Sequence, residues 1–169
     1  FDTELGIDTV VEPNVIFGPG VSLQDNVKIR SFSYLEGCVV KSKVTIGPFA
    51  RIRPETILHE GVKVGNFVEI KKSKLYKNAK ASHLSYIGDA SIGEDTNVGA
   101  GTIFCNYDGV SKYRIEVGKN SFIGSNASLV APLKIGDRAV IAAGSTITDE
   151  VEKDTLALGR ARQINKYKK

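Results

Sequence analysis

His83 is one of two histidines in the 169 residues, and it stands in a polar stretch, Ala81-Ser82-His83-Leu84-Ser85-Tyr86. An unperturbed imidazole titrates at about 6.5, so this side chain is suited to take a proton from an ammonium or hydroxyl nucleophile at neutral pH. A solvated surface histidine fits the same stretch. Arg53 and Lys71 lie eighteen residues apart, and each follows an aliphatic residue, Ile52 and Ile70. Arginine offers a fork to phosphate oxygens and lysine a point charge; two solvated cations fit equally. Ser125 and Ala143 are also eighteen apart, and Ala100 joins them if a seven-residue excess after Phe104 loops out. A line of small side chains admits a thin, extended ligand arm, and ordinary small-residue packing accounts for it as well. His59, two residues after Ile57, reads as structural.

Eighteen carries meaning because the chain beats in sixes. An aliphatic or aromatic residue recurs at Leu5, Val11, Phe17, Leu23, Ile29 and Leu35, again from Ile46 to Ile70, at Ile92, Val98 and Phe104, and from Val117 to Ile147. The next residue is often Gly, and the fifth is usually Val, Ala, Ser or Thr. A period of six matches neither a helix nor plain alternation; it matches a short strand followed by a bend, repeated as a parallel β-helix. Three hexads close a triangular coil of about eighteen residues, and coils stack ~4.8 Å apart by strand pairing. Arg53 and Lys71 then stand one above the other, about 5 Å apart, where an anion would relieve their repulsion.

The beat breaks in three places. Leu35 to Ile46 is one residue short of two hexads. Ile70 to Ile92 is four more than three hexads, so the segment from Lys71 to Ser91, with His83 in it, reads as irregular. Phe104 to Val117 carries an excess centred on Asn106-Tyr107-Asp108-Gly109-Val110-Ser111-Lys112, and its Asp-Gly marks a loop that leaves the coil. The expected organisation is one solenoid domain over 1–150 and a C-terminal tail over 151–169. The basic end of that tail, Lys166-Tyr167-Lys168-Lys169, reads as solvated. The chain starts at Phe1, already in phase, and reads as part of something longer.

Composition narrows the classes. Hydrophobic residues make up 41% and support one packed core, and the net charge of +4 suits an anionic small ligand. The charges are spread and no nucleic-acid reader motif is present, so nucleic acid is not an expected partner. Cys38 and Cys105 are too few for a disulfide framework and fit a cytoplasmic location. No apolar run reaches membrane-spanning length and no signal peptide is visible, so no membrane partner is expected.

Five motifs, in order, carry a resemblance: Arg51-Ile52-Arg53-Pro54; Val64-Gly65-Asn66-Phe67-Val68-Glu69-Ile70-Lys71-Lys72; Ser82 to Ala90; Asn97-Val98-Gly99-Ala100-Gly101-Thr102; and Cys105-Asn106-Tyr107-Asp108-Gly109. Together they resemble the acetyltransferase domain of the bacterial bifunctional GlmU enzymes, over roughly Ile46 to Arg160. The resemblance implies a left-handed parallel β-helix with an excursion loop and an irregular basic tail. It implies a homotrimer with active sites between subunits, and acetyl transfer from acetyl-CoA to the amine of glucosamine-1-phosphate, a precursor step toward UDP-N-acetylglucosamine. His83 matches the catalytic base. Arg53, Lys71, Tyr86, Asn97 and Lys112 match sugar-phosphate contacts, with Glu69 ranked below them. Ala100, Asn106, Tyr107, Ser125, Ala143 and Arg160 match acetyl-CoA contacts. Ser82 stands where many such enzymes carry Gly. The chain has no counterpart of the family's uridyltransferase domain, to which Mg²⁺ belongs, and no metal site is expected.

Other readings remain. Another hexapeptide acyltransferase is disfavoured by the Cys105–Gly109 motif and by the Arg53–Lys71 pair. A zinc-dependent hexapeptide enzyme would need three histidines, and only His59 and His83 exist. A non-catalytic scaffold solenoid leaves His83 and the stacked cations without a purpose.

Overall fold

A computed structural model describes residues 2–167. Phe1, Lys168 and Lys169, on which the in-phase start and the end of the basic tail fall, lie outside the described residues.

The described chain forms 25 short strands. Through the first 24 strands every third joins the same sheet, and the last, Leu156–Ala157, joins the sheet of Val140–Ile141, which gives three parallel sheets of eight, nine and eight strands. The result is a triangular solenoid in which each strand pairs with its equivalent one coil up and one coil down. In the first sheet the inward column runs Leu23, Val40, Leu58, Leu75, Ile92, Val117. The fifth residue of the hexad also faces inward: Val27, Val44, Val62, Ala79, Thr96 and Ala139 are fully buried. Each Val, Leu or Ile side chain so buried stabilises the fold by about 1.5–3 kcal/mol. A single coil has no other apolar layer to cover it, so stability comes from stacking.

All departures from six fall at one corner, between the third sheet and the first. The steps Leu35 to Val40, Ile70 to Leu75 and Ile87 to Ile92 are five residues long. The segment from Lys71 to Ser91 is therefore not an interruption. It is regular coil whose inward residues are Leu75, Ala81 and Ile87; two short steps and one small inward residue hide the beat. His83 accordingly ends a strand, Lys80–His83, instead of riding on an irregular loop.

The step from Phe104 to Val117 does contain an excursion, closed by an antiparallel bridge between Tyr107 and Lys112. Asp108 caps it by accepting the backbone N–H groups of Val110 and Ser111 at 2.8 and 2.7 Å. At the C-terminal end, Val151 bridges to Ile135 and the strand Leu156–Ala157 pairs with Val140–Ile141. The solenoid thus runs seven residues past 150 before the irregular segment begins.

Candidate active site

Columns defined by the register place the candidate residues. Ala81, Val98, Ile123 and Ile141 share one inward column of the second sheet. Two residues after each lie His83, Ala100, Ser125 and Ala143, which form one line along the edge between the second and third sheets. Asn66 and Gly159 extend it below and above, and Arg160 follows directly. The line of small residues inferred from spacing is therefore real, and His83 stands at its foot.

The glycines beside this line keep it flat. A Cβ at Gly99 would lie 2.6 Å from the Ser125 backbone nitrogen, closer than any neighbour tolerates. Among the described residues, none supplies an acceptor to the backbone N–H of Ala100, Ser125 or Ala143. The equivalent N–H groups at another corner, Ile7 and Lys119, are held by the carboxylates of Asp25 and Asp137, each at 2.9 Å. Free backbone donors in a row suit the carbonyls of an extended amide chain.

The imidazole of His83 makes one side-chain contact: Nδ1 lies 2.6 Å from Asn66 Oδ1. Its backbone is held by Ser85, whose buried hydroxyl donates to the His83 carbonyl at 2.9 Å.

A second cluster occupies the far side of the third sheet. Arg53 and Lys71 are adjacent-coil equivalents, as Ile52 pairs with Ile70. Arg53 Nη1 bonds Glu69 Oε1 at 2.9 Å, while its Nε is buried with no partner among the described residues. Lys112 reaches Lys71 from the excursion. A hydrogen bond with Lys112, then burial, then the Lys112 charge hold the Lys71 pKa below the ordinary lysine value. Lys71 with Lys112 beside it, and the unpartnered guanidinium Nε of Arg53 on the adjacent coil, gather positive charge and a free donor at one end of the third sheet, an arrangement suited to an anion.

Tyr86 belongs to this cluster. Gly88 is the coil-equivalent of Lys71, and a Cβ there would run into the Tyr86 hydroxyl and the Asn106 amide. Asn106 Nδ2 in turn donates to Asp89 Oδ2 at 2.5 Å. Asn97 does not join the cations: it faces out from the second sheet between Lys80 and Phe122. Asn106 and Tyr107 sit at the base of the excursion, off the small-residue line, and Tyr107 Oη donates to the Gly109 carbonyl at 2.5 Å. His59 stacks on Tyr76 with centroids 4.8 Å apart, away from both clusters. Asn66 and Asp89 were missed by spacing because their partners, His83 and Asn106, lie seventeen residues on; a coil with one five-residue step would have revealed both.

Comparison with known proteins agrees with this architecture. The family described as bacterial transferase hexapeptide (six repeats) matches residues 37–72 and 114–149. The chain is 57% identical to the bifunctional protein GlmU of Zymomonas mobilis subsp. mobilis and 58% identical to that of Azorhizobium caulinodans. Each match covers 98% of this chain and 37% of the relative. The fold of PerB from Caulobacter crescentus, solved in complex with CoA and GDP-perosamine, superposes with a TM-score of 0.61 at 19% identity, covering 73% of this chain and 68% of that one. Repeat, register and family match define a hexapeptide-repeat protein with the left-handed parallel β-helix fold. Within that class the chain belongs with the bifunctional GlmU proteins, and it spans about a third of their length.

Proposed function

We propose that the chain transfers an acetyl group from acetyl-CoA to the amine of glucosamine-1-phosphate. The observation that carries this reading is the line from His83 through Ala100, Ser125 and Ala143, which puts a proton acceptor at the foot of a row of free backbone donors. The pantetheine arm lies along that row, with Arg160 beyond its far end to meet phosphate. PerB, which shares the fold, was solved with CoA bound.

The amine must be neutral to attack the thioester. His83 Nε2 takes its proton, the nitrogen–carbon bond forms, and the carbon–sulfur bond breaks. The thiolate leaves and the proton returns to sulfur. Arg53, Lys71 and Lys112 hold the phosphate and fix the amine's position, Tyr86 and Asn97 bond the sugar, and the Ser125 hydroxyl or a free N–H of the line receives the developing oxyanion.

His83 and the cations lie at opposite edges of the third sheet, and Asn97 lies on the second. A second copy of the chain completes the site in this reading, as a homotrimer. The edge beside His83 supports it. Phe32, Phe49 and Phe67 stack along that edge with centroids 5.0 and 5.3 Å apart, and Leu84 continues the column. Each is about half exposed and held at positive φ, a backbone state that costs a bulky residue ~1–2 kcal/mol. Such a ladder is apolar surface in want of a cover. Free cysteines fit a cytoplasmic setting.

Thiol release tests the reading. CoA should appear only when acetyl-CoA and glucosamine-1-phosphate are both present, and glucosamine without phosphate should fail. Burial pushes the Cys38 thiol up to about 12 and raises Cys105, which lowers their reactivity, and a blank without acetyl-CoA subtracts their background. Absence of CoA release by a trimer that binds acetyl-CoA would contradict the proposal.

A further inference from the structure

We infer that Asn66 is a positioning residue that sets the tautomer of His83, so that Nδ1 carries the proton and Nε2 is the free base; the inference rests on the proposed acetyl transfer for its purpose. The two residues are cross-strand partners, and Asn66 Oδ1 lies 2.6 Å from Nδ1. A carbonyl oxygen only accepts, so Nδ1 is the donor in this contact, and in the neutral ring Nε2 then keeps its lone pair.

The backbone is built to make this contact. Most strands of the solenoid are two or three residues long. The strands Lys63–Asn66 and Lys80–His83 have four, and their last residues, Asn66 and His83, are register partners. Gly65 permits the extension, since a Cβ there would overlap the Ser82 carbonyl. Leu84 N–H then closes on the Asn66 carbonyl at 3.0 Å. A neutral orienting group also has a chemical consequence. A carboxylate in its place would add a negative charge that favours the imidazolium over the free base. An amide fixes the tautomer without adding that charge.

The test uses the whole chain with ¹⁵N-labelled histidine, together with Asn66→Ala and Asn66→Asp. In the unaltered protein, neutral His83 should show the Nδ1–H pattern in its two ring-nitrogen shifts. Asn66→Ala should shift it toward the Nε2–H form that free histidine prefers and lower kcat by a measurable part of the roughly 10²–10⁴-fold that a positioned general base contributes, with the KM for acetyl-CoA little changed. Asn66→Asp, nearly isosteric, should keep Nδ1–H and move the acidic limb of the kcat/KM profile to higher pH. An unchanged tautomer in Asn66→Ala, or an unmoved limb in Asn66→Asp, would overturn the inference. The nitrogen shifts need no turnover, so an inactive enzyme with an Nδ1–H His83 would sink the proposed reaction and leave the positioning role standing.

Discussion

His83 and Ala100 occupy the same position on adjacent coils, seventeen residues apart, because Ala81 pairs with Val98. The Gly101 N–H closes on the His83 carbonyl at 3.4 Å and ties the two levels together. In the proposed reaction the stacking distance of the β-helix would set the distance between proton acceptor and acyl arm, with no loop to be ordered.

The cation cluster should govern affinity for the phosphorylated sugar and not for the acyl donor. Removing a charge-assisted hydrogen bond costs about 1.5–3 kcal/mol, so Arg53→Ala and Lys71→Ala should each raise the KM for glucosamine-1-phosphate about tenfold or more. Steady-state kinetics with each substrate varied in turn checks this; an equal rise in the KM for acetyl-CoA would place these residues wrongly.

Lys71 should also leave a mark on stability. Its pKa is lowered in the folded chain, so the unfolded chain binds more protons at alkaline pH, and stability should rise with pH from below the folded value toward 10.5. The contribution is a penalty at neutral pH, relieved as Lys71 loses its proton. Thermal melts of the wild type and Lys112→Met across that window should differ in slope, the variant being flatter. Inorganic phosphate at neutral pH should raise the wild-type Tm and do less for the variant.

Two glycines should respond differently to alanine. At Gly65 the added methyl meets the Ser82 backbone, and at Gly144, with φ of 70°, it meets nothing within 4 Å. Gly144→Ala should cost only the left-handed penalty of ~1 kcal/mol. Gly65→Ala should cost about 2–3 kcal/mol by forcing coils apart. Urea midpoints measure both, and equal losses would mean that coil contact is looser at Gly65 than the geometry shows.

The aromatic ladder should decide assembly. Phe49 stacks on both Phe32 and Phe67, so Phe49→Glu should give monomers in sedimentation analysis and lose turnover with them. A wild-type chain that sediments as a monomer and still turns over would remove the need for a second copy.

Much of this was legible before the structure. The inward columns, the excursion after Phe104 and the stacking of Arg53 on Lys71 follow from period and arithmetic alone. What the arithmetic missed has one cause: it assumed eighteen residues per coil, whereas the Ile70–Leu75 and Ile87–Ile92 steps are five. That shortening hid Ala81 as a core residue, made His83 look like a loop residue, and concealed both Asn66–His83 and Asp89–Asn106. The contact of Lys112 with Lys71 was beyond any period, because a loop's landing point is set by its own turn and bridge.

The most direct measurement is the turnover of His83→Ala under saturating acetyl-CoA and glucosamine-1-phosphate. Loss of a general base predicts a fall in kcat of roughly 10²–10⁴, with acetyl-CoA still bound by calorimetry. Turnover within about threefold of the wild type, far inside that range, would contradict the assignment of His83 as the proton acceptor.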